Sequence, residues 1–189
     1  MAKITYSSFV ERVKGGMGNV VYRKYRGEYL ICRKGNPAAG EDTEAQAAHK
    51  KRFREATNFG KRMMADDSIR PLYEQAAINR DLPVFAVCIA DFFNAPTITS
   101  IDAMEYHGHV GDPILIVAED DMGVVRVNVT LSDDDEGTLI ESGQAVETSL
   151  GQWTYTATQP ATPGITVQFQ VNVFDRPGGT VVQRGTKRI

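Results

Sequence analysis

Four groupings in this chain of 189 residues carry side chains that could do chemistry. The first is His107-Gly108-His109. On a strand, residues two apart share a face, so both imidazoles would point one way, as a transition metal requires. Zinc takes three or four protein ligands, and only Glu105 stands near, so a solvated loop is the simpler reading. The second is Asp133-Asp134-Asp135-Glu136-Gly137, with Glu119-Asp120-Asp121. Such acids could give oxygen ligands to calcium, but they are consecutive rather than alternating as in an EF-hand loop. A charged hairpin turn explains them more simply. The third is Gly15-Gly16-Met17-Gly18-Asn19. It lacks the Lys-Ser/Thr ending of a phosphate loop and precedes a strand rather than a helix, so it reads as a hinge or an extended arm. The fourth is a run in which Tyr22, Tyr25 and Tyr29 alternate with Arg23, Lys24, Arg26, Arg33 and Lys34. Aromatics among cations can stack on bases and neutralise phosphates, or pack on an acidic protein surface.

No catalytic grouping stands beside these. Gly-x-Ser-x-Gly, His-Glu-x-x-His and Cys-x-x-Cys are all missing, and three histidines and two cysteines leave little for nucleophilic chemistry. The expectation is a protein that is not an enzyme, with no cofactor, no metal and no catalytic residue. Cys32 and Cys88 each lie among apolar neighbours and read as small hydrophobes rather than a disulfide framework.

The elements that must hold these groupings fall into two textures. Val20 to Tyr25 and Glu28 to Lys34 are short runs of β-branched and aromatic residues around a glycine turn, which predicts a β-hairpin. An isolated hairpin is marginal in water and needs a partner surface. Helices are predicted over 43–65, capped by Asp42 or Thr43, over 69–77, with Pro71 tolerated in the first turn, and over 84–93. Asp91 interrupts the otherwise apolar run of the last.

After Pro96 the period changes to two. Strands are predicted at 97–101, 113–118, 124–131, 138–141, 152–156, 165–174 and 180–184, with polar or glycine turns between them. Seven short strands in about 95 residues are the pattern of an immunoglobulin-like sandwich. The inward set would be Ile114, Ile116, Val125, Val127, Val129, Leu139, Trp153, Tyr155, Val167, Phe169, Val171 and Val173.

Charge follows the same split. Residues 1–94 hold 16 Lys and Arg against 11 Asp and Glu; residues 95–189 hold 5 against 13. A net charge of −3 therefore hides a positive and a negative half, which could steer copies head to tail at low salt. The expected fold class is α+β. A basic N-terminal β-hairpin and helical module would span 1–94, and an acidic immunoglobulin-like antiparallel β-sandwich 95–189.

Gly111-Asp112-Pro113, the run from Ala118 to Val127, the run from Gly151 to Ala157, and Asp175-Arg176-Pro177-Gly178 resemble bacterial immunoglobulin-like and fibronectin-III-like modules. The resemblance covers 97–189 and implies the sandwich fold, while leaving function open. The N-terminal half resembles uncharacterised bacterial and phage-like proteins. Its carriers are the run from Gly18 to Arg23, Thr43-Glu44-Ala45-Gln46 before Lys51-Arg52-Phe53, and the run from Asp67 to Tyr73.

The functional expectation is a self-assembling structural subunit of an extracellular filament or phage-like particle. It would polymerise by β-strand exchange of its N-terminal arm, whose edges are unpaired. The contact residues would be Val20, Val21, Tyr22, Tyr25, Tyr29, Leu30 and Ile31, and the partners copies of the same chain, rather than nucleic acid or a small molecule. No apolar run reaches the 18–20 residues of a membrane span, and no signal peptide is recognisable, so synthesis in the cytoplasm is expected before export or particle assembly. The alternative is an adhesion module for carbohydrate or a surface protein, with Trp153 and Tyr155 as an aromatic platform if they are exposed.

Overall fold

A computed structural model describes residues 2–3, 15–25, 27–35 and 42–189; for Ala2, Lys3 and Tyr25 it describes the backbone alone. Arg26 lies outside the described residues. The chain divides into two compact units, Met1–Gln46 and Ala47–Ile189. The charge step at 94/95 is therefore not the structural division, and the helices group with the sandwich.

Among the described residues the first unit holds a four-stranded antiparallel sheet. Its strands are β1 (Ala2–Lys3), β2 (Gly15–Met17), β3 (Val20–Tyr25) and β4 (Glu28–Arg33), in the order β1-β4-β3-β2. The predicted hairpin is its centre, with Tyr22 opposite Ile31 and Val21 opposite Cys32. The glycine segment is not a free arm. Gly15 and Gly16 pair with Tyr22 and Val21, and the chain then turns back through Gly18, whose φ of 59° suits a residue without a Cβ. Both outer edges of the hairpin are thus partly paired by the chain's own strands, contrary to the expectation of open edges.

Helix α1 (Glu44–Ala65) begins in the last residues of the first unit and continues through the second; it opens with a capping box, in which Thr43 Oγ1 accepts from the Gln46 N–H at 3.3 Å, and Gln46 Oε1 accepts from the Thr43 N–H at 3.0 Å. Every side chain from Glu44 to Glu55 is exposed. The helix first meets a core at Ala56, Phe59 and Gly60. A Cβ on Gly60 would stand 2.9 Å from the Phe85 ring, so only glycine permits this approach. Helices α2 (Arg70–Arg80) and α3 (Val84–Phe93) follow. Tyr73, Ala77, Val87 and Cys88 join Phe59 in one apolar cluster, to which Met122, from a sandwich loop, also belongs.

The sandwich has eight strands in two antiparallel sheets. One is ordered β5-β6-β10-β9, from β5 (Thr97–Asp102), β6 (Pro113–Glu119), β9 (Val146–Ser149) and β10 (Gln152–Thr156). The other is ordered β12-β11-β7-β8, from β7 (Arg126–Asp133), β8 (Leu139–Gln144), β11 (Thr166–Phe174) and β12 (Thr180–Arg188). Both inner faces feed one core, in which Ile114, Ile116, Trp153 and Tyr155 meet Val127, Val129, Leu131, Val167, Phe169, Val171 and Val173. At roughly 25 cal/mol per Å² of apolar surface buried, such a core is the main source of this unit's stability. The chain is thus mixed α+β with a β-sandwich. Two expected core residues lie outside it: Val125, just before β7, is 49% exposed and Leu139, the first residue of β8, is 60% exposed.

Candidate assembly surface

The N-terminal sheet carries the residues expected to make contacts. Opposed residues of an antiparallel pair share a face. The pairings therefore put Val20, Tyr22, Tyr29 and Ile31 on one face, and Val21, Leu30 and Cys32 on the other. Cations are spread over both: Lys24 and Arg33 on the first, Arg23 on the second. The Lys24 ammonium stands 5.6 Å from the centre of the Tyr29 ring, a cation–π distance. Val20, Val21, Tyr22, Tyr29, Leu30, Ile31 and Cys32 are all half-buried, and no described side chain of this unit is fully buried. The side chain of Tyr25, the remaining expected contact, lies outside the described residues.

Sheets normally cover one face and expose the other, which yields clean apolar and polar alternation. Here apolar side chains stand on both faces and neither is closed off from water. The strands β1 and β2 add little. The first pairs only at Leu30 and Ile31, and the second brings Gly15, Gly16 and Met17, of which Met17 is 69% exposed.

The other groupings are parts of loops. The backbone N–H groups of His107 and His109 both donate to Asp112 Oδ2, at 2.7 and 2.8 Å, and these bonds hold the Asp112 carboxyl below its usual range. Both imidazoles are exposed on a turn rather than aligned on a strand. Among the described residues no group of three or more His, Cys, Asp or Glu side chains is arranged to hold a metal ion. Asp133 caps its own turn, with Oδ1 accepting from the Asp135 N–H at 2.9 Å, and Asp134 accepts from Gln168 Nε2 at 2.7 Å. Glu119-Asp120-Asp121 opens the loop that reaches the helices. There, Arg80 donates to the Asp121 carbonyl at 2.9 Å and Asn94 Nδ2 donates to the Asp121 carboxylate. Cys32 and Cys88 are free thiols, the first half-buried and the second buried.

Trp153 and Tyr155 are 6% and 3% exposed, so they build the core and offer no aromatic platform. One buried cluster escaped the reading of the sequence. Asp91 is fully buried, and its Oδ2 accepts from the Tyr73 hydroxyl at 2.5 Å. The only signal was a lone acid inside an apolar helix, which reads equally well as an exposed position. No helix among the described residues is long and apolar enough to cross a membrane.

No family model and no curated protein matches the chain. Among solved structures, CopC from Methylosinus trichosporium OB3b aligns at 15% identity over 48% of this chain and 89% of that one, with a TM-score of 0.36. A likeness this loose carries no argument about function.

Proposed function

We propose that this chain is a structural, non-enzymatic subunit that assembles with copies of itself through its N-terminal sheet. The observation that supports this is the sheet's unfinished state. Seven apolar or aromatic residues of the hairpin, on two faces, remain only half-buried in the single chain. Covering either face with a neighbour's surface would remove apolar area from water, the dominant favourable term in association. The sheet's own cations, Arg23, Lys24, Arg33 and Lys34, would face a partner of opposite charge, and the acid-rich second half of another copy is one. A contact of this kind, between unlike surfaces, either closes into a ring or propagates as a filament.

Strand exchange now takes a more specific form. The hairpin's edges are partly paired already, so a neighbour's strand would replace or extend one already there. Among the described residues the shortest pairing is that of β1, at two residues, and exchanging an identical element between protomers costs little. The neighbour's Ala2–Lys3 would then lie along Leu30 and Ile31. An extracellular filament or a phage-like particle remains the setting this reading fits, after synthesis in the cytoplasm.

Negative-stain microscopy and sedimentation at rising concentration test the proposal. The full chain should form rings or filaments, and removal of residues 1–36 should leave a folded monomer built on the sandwich. Undiminished assembly after that deletion would remove the sheet from the mechanism.

A further inference from the structure

Asp91 sits in the last turns of α3 with none of its side chain exposed. One carboxyl oxygen is bonded to the Tyr73 hydroxyl of α2; the other, Oδ1, is buried and has no hydrogen-bond partner in the protein. Two sandwich loops reach α3, one through Met122 packed with Val87 and Cys88 and the other through Gly178 and Gly179 beside Phe92, and each carries a further acid. From the β6–β7 loop comes Asp120, whose Oδ2 accepts from the Met122 N–H at 2.9 Å while its Oδ1 is buried without a partner. From the β11–β12 loop comes Asp175, 5% exposed, whose Oδ1 accepts from the Gly178 N–H at 2.8 Å and whose charged form the Gly179 N–H also favours, although burial raises the carboxyl on balance.

A buried carboxyl oxygen without a donor, as Asp91 Oδ1 is, is costly to charge, and carboxylates beside it add to that cost. Arg80 of α2 is engaged with Asp121, 3.6 Å from its Oδ1, and the buried Nε of Arg176 has no partner. The remaining titratable neighbours are the Cys88 thiol on α3 and the Tyr73 hydroxyl, and both are held in their neutral forms by burial and by the Asp91 charge.

We propose that Asp91 is a proton-operated latch between the helices and these two loops: protonated, it lets them sit against α3; ionised, it loosens them. The geometry carries the proposal, and the electrostatics agree. Burial first, and then Asp120, Asp175 and Asp121, push the Asp91 carboxyl up to about 6, against the lowering effect of the Tyr73 bond. The sign follows. A carboxyl whose value is raised in the closed state holds its proton there and releases it on opening, so closure weakens as pH rises through that range. With an ordinary carboxyl near 3.8 when open, closure should be about tenfold weaker at pH 7 than at pH 5.

Hydrogen exchange of the full chain reads this directly. Protection of amides 119–125 and 174–179, corrected for intrinsic exchange, should fall about tenfold between pH 5 and pH 7. In Asp91→Asn most of that fall should disappear, leaving only the part due to Asp175, whose carboxyl burial also raises. Equal protection at both pH values in the unaltered chain, or the same fall in Asp91→Asn, overturns the latch. Should Asp91→Asn fail to fold, Tyr73→Phe is the second test. It removes the bond that favours the ionised carboxyl, so the midpoint should move to higher pH, and an unmoved midpoint overturns the proposal.

Discussion

The sheet of the first unit and the sheets of the sandwich are built from the same kinds of residue to opposite ends. In β11 the pattern alternates strictly, and Val167, Phe169, Val171 and Val173 all lie in the core. In β3 and β4 the residues are as β-prone, yet apolar side chains fall on both faces and none described is buried. Strand propensity makes strands; what makes a self-sufficient sheet is a second layer to close one face. The sandwich has one within its own unit. The N-terminal sheet, in the proposal above, finds its second layer on another copy.

That contrast can be attacked by substitution. Ile116→Ala, in the sandwich core, should cost about 2–5 kcal/mol in denaturant unfolding, through lost burial and the cavity left behind. Ile31→Ala, half-buried in the N-terminal sheet, should cost less than about 1 kcal/mol in the monomer. Equal costs would mean that the small sheet has a core after all. Glycines sharpen the point. An added Cβ at Gly185 would overlap the Phe169 ring, so Gly185→Ala should destabilise by about 1–3 kcal/mol, whereas at Gly16 it would meet no described atom nearer than the Val20 carbonyl oxygen at 3.7 Å. Gly16→Ala should leave the melting temperature within error.

Asp91→Asn comes next. Ionisation of a carboxyl raised to about 6 costs the folded chain roughly 1.4 kcal/mol between pH 5 and pH 7. The substitution should remove most of that fall, measured by urea unfolding at the two pH values, the remainder being the share of the raised Asp175 carboxyl. A smaller effect than that of Asp91→Asn is expected at the helix start. Thr43→Ala removes one half of a capping box on an exposed segment, and should fray the first turn of α1 for about 0.5–1 kcal/mol, seen as faster amide exchange there.

Much of the sandwich was legible because one face of each main strand is wet. Alternation located seven strands and most of the inward set. It missed β9, Val146–Ser149, whose four side chains are all exposed and give alternation nothing to register. It placed Val125 and Leu139 inward although they stand at strand ends, and a register shift on β7 falls opposite the start of β8. The strands β1 and β2 were unreadable for another reason: two residues, and a Gly-Gly-Met triplet, carry almost no side-chain signal. The charge step at 94/95 suggested a boundary, but charge is a surface property. Met122, in a loop remote in sequence, enters the helical cluster and draws the helices into the sandwich unit. Nothing local to Met122 announces this. The buried state of Asp91 was hidden likewise, since its desolvation is set by loops 30 and 80 residues away.

The assembly surface is best tested by sedimentation velocity of the full chain and of Ile31→Asp over a hundredfold range of concentration. The unaltered chain should shift from monomer to larger species as concentration rises, while Ile31→Asp stays monomeric with an unchanged sandwich melting transition. An unaltered chain that sediments as a monomer throughout, or an Ile31→Asp chain that assembles equally well, would show that the half-covered sheet is not where copies meet.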